Sequence, residues 1–144
     1  MTQEQKDLLI KDLCARLPYG VKVRYSSYEK FITCTLHAIN PVYHIVDLWS
    51  ENACFNPVDT SKIKPYLFPL SSMTEEHIFE INNILGKDFE IDKYGITDLI
   101  RNRRTCLSYL ELDALFEYFN KYHFDYRGLI PMGLAIDATN LNIY

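Results

Sequence analysis

The sequence predicts an α+β chain: an N-terminal helix, a small Src-homology-3-like β-barrel or bent antiparallel sheet, and a C-terminal helical part. Three patterns lead there. The opening residues carry apolar side chains at helical spacing, residues 21–67 switch to alternation in short runs, and residues 74–122 return to helical spacing between recognisable caps.

The first element covers residues 2–17. Thr2 and Gln5 form a capping-box pattern, and Leu9, Leu13 and Leu17, flanked by Ile10 and Cys14, make an apolar stripe. Pro18-Tyr19-Gly20 stops it. Val21-Lys22-Val23-Arg24-Tyr25 then alternates apolar and basic residues, as a half-buried strand does. Residues 31–36 and 43–49 read as two more strands joined at Asn40-Pro41. Ala53-Cys54-Phe55 supplies a fourth, and residues 63–67 a fifth. Closure into a barrel is the first expectation, because it removes edges that such short strands cannot protect. An open meander packed on the first helix is the alternative.

Residues 65–72 form a punctuated linker. A helix follows over residues 74–85, with Thr74 as N-cap, Glu75 and Glu76 at the positive end of its dipole, and Gly86 just past its end. Residues 88–92 alternate as a short strand, and residues 95–104 read as a further helix. Ser108 and Glu111 form a capping box opening the helix of residues 108–122, with Leu112, Leu115, Phe116 and Phe119 on one face. Residues 122–135 interleave aromatic, charged and glycine residues too densely for helix or strand, and predict a compact, packed loop. Leu134-Ala135-Ile136 reads as a last strand, with a loosely held tail beyond Thr139. The expected division is residues 1–73 for helix plus barrel and 74–144 for the helical region packed on it, within one domain or two small ones.

A domain of 144 residues buries roughly 68–70% of its unfolded surface, so it needs no disulfide or metal staple. Eleven Tyr, eight Phe and one Trp are an aromatic excess of the kind found at interfaces and ligand pockets, or at a tyrosine-rich core edge. The net charge of −4 is uneven: residues 1–73 hold eight basic and seven acidic groups, residues 74–144 seven and twelve. That balance disfavours general DNA binding, although a local basic pocket for a phosphate ligand remains compatible with it. The polar N-terminus and the absence of a long apolar run predict a cytosolic protein with no membrane partner. Cys14, Cys34, Cys54 and Cys106 show no paired spacing and read as reduced, small hydrophobes.

Several constellations are candidates for chemistry. Arg101, Arg103 and Arg104 near Lys93 and Tyr94 can clamp a phosphate with a base stacked on the ring, or can be a solvated helix end. Lys22, Arg24 and Lys30 with Tyr25, Tyr28 and Tyr43 resemble the cation–aromatic mix of nucleotide-binding barrels, or equally a lysine-guarded strand edge. Tyr126 and Arg127 can bind an anion, and His123 with Asp125 can be an oriented base; the same residues also serve to knit a loop together. Cys34, His37, His44 and Cys54 are soft ligands, but on the strand reading they fall on different faces, so no metal is expected. No Walker loop, G-x-G-x-x-G or nucleophile elbow is present, and neither a cofactor nor catalytic residues are predicted.

Residues 8–23 (LLIKDLCARLPYGVKV), Lys64-Pro65-Tyr66-Leu67-Phe68-Pro69 with Ser71-Ser72-Met73-Thr74-Glu75-Glu76, and His123-Phe124-Asp125-Tyr126-Arg127-Gly128-Leu129-Ile130 with Gly133-Leu134-Ala135 resemble a group of small proteins encoded by gut Bacteroidetes, their phages and prophages. The group has no assigned activity. The resemblance implies a setting, a phage or mobile-element accessory protein in a bacterial cytoplasm. In that setting the expected function is non-enzymatic binding: counter-defence by sequestering a small nucleotide signal, held between subunits of a homo-oligomer. The alternatives are a protein–protein module blocking a host factor or serving phage assembly, and an unrecognised hydrolase using His123 and Asp125.

Overall fold

The computed structural model describes residues 1–28, 30–86 and 107–144. The predicted strand at residues 88–92 and helix at residues 95–104 lie outside them. The described residues form α1 (Gln3–Arg16), β1 (Lys22–Ser27), β2 (Lys30–Asn40), β3 (Ile45–Trp49), β4 (Cys54–Asp59), β5 (Ile63–Leu67), α2 (Glu75–Leu85), α3 (Tyr109–Lys121) and β6 (Ile136–Asp137). The class is therefore α+β, as the sequence predicts. The chain divides into two compact units, one of Met1–Leu67 with Arg127–Tyr144, the other of Phe68–Tyr126. The residues from Arg127 onward belong with the first unit.

The first unit holds one open sheet in the order β4-β3-β2-β1-β5-β6. β1 to β4 form an antiparallel meander, β5 pairs antiparallel with β1, and β6 runs parallel to β5. The barrel expectation gives way to the open alternative. Two features protect the edges that closure would have removed: β6 is only two residues long, and β4 carries Pro57, which has no N–H to offer a passing strand.

One sheet face carries the core; on the other most side chains are half-buried or exposed, with Tyr66 of β5 buried among them. Val23 of β1, Cys34 and Leu36 of β2, Val46 and Leu48 of β3, Val58 of β4, and Ile63 and Leu67 of β5 are buried with Leu9 and Leu13 of α1 and with Leu129, Leu134 and Ala135. Thr2 caps α1 through the predicted reciprocal bonds with Gln5. The buried side of α1 differs from the predicted stripe, however. Cys14 is exposed, while Asp12 and Arg16 are completely buried. Arg16 Nε and Nη2 donate to Asp12 Oδ2 and Oδ1 at 2.7 and 3.0 Å, and Arg127 Nε lies 3.2 Å from the same Oδ1. One buried carboxylate thus faces both its i, i+4 partner, itself buried, and a partly exposed arginine from the far end of the chain. Such a pair is expensive to break, because the surviving charges stay buried.

The tail expected to be loose is pinned. Tyr144 Oη donates to the Tyr66 carbonyl at 2.9 Å and accepts from the Lys22 N–H at 3.1 Å. Burial pushes the Tyr144 phenol up to about 12, against the opposing pull of the Lys22 amide and the Arg16 charge.

In the second unit, Ser108 and Glu111 close the predicted capping box on α3. At α2 the N-cap is Thr74, as predicted, but its N3 partner is His77, whose Nδ1 accepts the Thr74 N–H at 3.1 Å. The ring of His77 also meets Phe124 edge-on at 5.0 Å and Tyr122 at 5.5 Å. Ile81 and Leu85 of α2 pack with Leu115, Tyr118 and Phe119 of α3. Burial, then a 2.7 Å bond to Glu80 Oε2, pushes the Tyr118 phenol up. Phe116, placed by periodicity on the buried face, is partly exposed.

Replacing Asp12 by Ala removes the carboxylate that faces the wholly buried Arg16, and we expect about 3–5 kcal/mol of lost stability in urea denaturation. Alkaline unfolding tests the Tyr144 anchor. The unfolded phenol releases its proton near 10 and the native one near 12, so this contribution is whole below pH 10 and drains away as the pH rises towards 12. Tyr144→Phe should be less stable than the parent at pH 8, and the difference should shrink above pH 10.

Candidate functional site

Strand alternation assigns the sheet's other face. With Val23 buried, Lys22 and Arg24 of β1 point away from the core, as do Thr33 and Thr35 of β2, Asp47 and Trp49 of β3, and Lys64 of β5. The register makes rows of them. Lys22 stands opposite Thr35, Thr35 opposite Trp49, and Trp49 opposite Cys54. One row on, Arg24 stands between Thr33 and Lys64. Phe31, opposite Ser26, begins the same face of β2.

Two aromatic platforms rise from it. The Arg24 guanidinium sits 4.6 Å from the centroid of the Phe31 ring, and Phe31 remains 69% exposed. A register shift between Leu36 and Ala38 brings His37 onto Trp49, their rings stacked at 3.7 Å and 16° with Trp49 51% exposed. Beside Trp49 lies a shallow hollow whose lining includes Lys22, Thr33, Thr35, Ser50 and Glu51. Thr33 Oγ1 is 3.3 Å from Tyr66 Oη, which steadies the floor.

The electrostatics of this face are uneven. Arg24 and Lys64 are direct cross-strand neighbours of like charge, an arrangement that costs stability when nothing lies between them. Among the described residues, no carboxylate pairs with Lys22, Arg24 or Lys64. Asp47 and Glu51 confine the positive region to one end of the face. Cations beside exposed rings can hold phosphate through charge and a planar base through stacking.

The predicted site residues fare unequally. Lys22 and Arg24 come together on this face. Tyr25 does not join them, because alternation turns it to the core side, where its ring meets Phe55 at 5.0 Å. Lys30 shares that parity rather than the parity of Lys22. Tyr126 stacks on Phe116 at 5.1 Å and on Phe119 at 5.6 Å and donates to Asn120 Oδ1, so it is a packing residue. Arg127 is taken up by Asp12. His123 and Asp125 are buried, and their backbones bond the two polar groups of Phe68 at 2.9 and 2.8 Å, the loop-knitting alternative. Tyr94, Arg101, Arg103 and Arg104 lie outside the described residues. Phe31, Trp49 and Lys64 are not among the sequence-predicted site residues, and His37 figures there only as a soft ligand. The sequence does place Phe31 and Trp49 on strands, but only the register puts them on one face.

Cys34 faces the core, whereas His37 and Cys54 lie on the outer side. Among the described residues no three His, Cys, Asp or Glu side chains are grouped to hold a metal, and no helix is long and apolar enough to cross a membrane. Compared with known proteins, the chain matches no family model, no curated protein and no solved structure.

The two sides of the sheet should respond differently to truncation. Phe31→Ala removes an exposed ring and should change stability by no more than about 0.5 kcal/mol. Tyr25→Ala opens space under the core and should cost about 2–4 kcal/mol, both read by urea unfolding.

Proposed function

We propose that this chain is a non-enzymatic binding protein whose outer sheet face receives a nucleotide-like ligand. The observation that carries the reading is the arginine laid over an exposed phenylalanine, on the same open face as an exposed, histidine-stacked tryptophan. Lys22 and Lys64 supply further charge for phosphate, and Thr33 and Thr35 supply hydroxyls between the rings. In such a site each stacked base contributes about 1–3 kcal/mol and each cation adds salt-dependent affinity. In the phage setting that the sequence resemblance implies, a receptor of this kind acts by sequestration. It withdraws a nucleotide signal from host defence in the bacterial cytoplasm, and homo-oligomers would enclose the ligand further.

A second reading, a module docking on a host protein, is favoured by Tyr109 and Leu110, adjacent on the first turn of α3 and 85% and 79% exposed. Calorimetry of the full chain against cyclic and linear mono- and oligonucleotides separates the two. The first reading expects at least one ligand below about 10 µM, roughly 7 kcal/mol, with binding lost in Lys22→Glu/Lys64→Glu. If no nucleotide binds at that level, the first reading fails. A host protein released by Leu110→Asp, but not by the lysine variant, would then establish the second.

A further inference from the structure

We infer that the ligand of the outer face is a short single-stranded oligonucleotide of about three nucleotides, not a mononucleotide. The inference rests on the reading of that face as a nucleotide receptor and deepens it. Its basis is the separation of the two platforms. Trp49 is level with Thr35, four residues along β2 from Phe31 and one strand over. At about 3.4 Å per residue and about 4.8 Å between strands, the two positions are roughly 14 Å apart. Stacked neighbours along one nucleic-acid strand are only about 3.4 Å apart. No single base reaches both rings, and no stacked pair does either. A chain whose terminal bases are splayed onto Phe31 and Trp49 spans the gap with its backbone over Thr33 and Thr35.

The charges fit that path. Lys22 stands beside Thr35, and Arg24 beside Thr33, so the hydroxyl track between the platforms is flanked by cations along its length. A phosphate near Arg24 and Lys64 relieves their mutual repulsion. A mononucleotide would occupy one platform and leave the other, with most of this charge, unused. Two features argue against longer or double-stranded partners. Bases in a duplex stack on one another and offer no face to a protein ring. The track also ends at Asp47 and Glu51, and a chain of net charge −4 does not attract a polyanion at long range.

Trp49 is the chain's single tryptophan, so its fluorescence reports base stacking at this site alone. The full chain is titrated with AMP, UMP, triadenylate and triuridylate at fixed salt, with calorimetry alongside. We expect at least one trimer to quench Trp49 and to bind 10-fold or more tighter than its monomer. Phe31→Ala should erase that advantage. The logarithm of the trimer's binding constant should fall with the logarithm of salt at a slope of about −2, for three cation contacts. Lys64→Gln should lessen that slope by about 0.7. If monomer and trimer bind equally, the ligand is a single nucleotide: the receptor reading survives and the oligonucleotide inference is overturned. If neither quenches Trp49 nor releases heat, both are overturned.

Discussion

The Asp12 carboxylate is held by Arg16, one helical turn along the same helix, and by Arg127, more than a hundred residues away in sequence. Because Asp12 and Arg16 are wholly buried, water cannot take the place of a lost partner, and breaking the pair would leave an uncompensated buried charge. This fastens the returning C-terminal segment to α1, and therefore brings Leu129, Leu134 and Ala135 onto the core and β6 alongside β5. Tyr144 makes a second attachment of that segment, through the backbone of β1 and β5. The first unit is consequently a discontinuous stretch of chain, and the Asp12 cluster is what joins its two pieces by charge as well as by packing.

With α1 and the returning segment on one side of the sheet, its opposite side is free to carry side chains chosen for something other than burial. What stands there is mixed: two lysines, an arginine, threonines, and two aromatic platforms. The bulge at His37 matters for the same reason. By disturbing alternation at one point it sets an imidazole against the indole of Trp49, where a regular strand would have spaced them differently. The cost of an exposed tryptophan and an exposed phenylalanine on one face, and of two cations directly opposed, is borne by a core that the face does not help to build. Rule-breaking of this kind is common at binding sites, and the receptor reading rests on it.

The second unit is built on a different economy. Its two helices are capped reciprocally at their N-termini, and His77 belongs both to a cap and to an aromatic cluster with Tyr122 and Phe124. Of the loop residues that look reactive on paper, His123 and Asp125 are buried with their backbones bonded to that of Phe68, and Tyr126 packs on Phe116 and Phe119. Reactive side-chain chemistry in a sequence therefore says little until its burial is known.

Local pattern determined much of this protein. The capping residues Thr2, Thr74 and Ser108, the helix stop at Pro18-Tyr19-Gly20, and the alternation of β1 were legible because each depends on neighbours within four residues. The sheet's openness, the tilt of α1's buried side towards Asp12 and Arg16, and the anchoring of Tyr144 were not. Each depends on a partner distant in sequence, and periodicity counts a charged residue as exposed whether or not a counter-charge awaits it. The candidate site divides the same way. Lys22 and Arg24 could be placed on one face from alternation alone, and Tyr25 on the other. Only strand register could add Phe31, Trp49 and Lys64, because pairing between strands is set by how the whole hydrophobic face closes on α1, not by any residue's immediate neighbours.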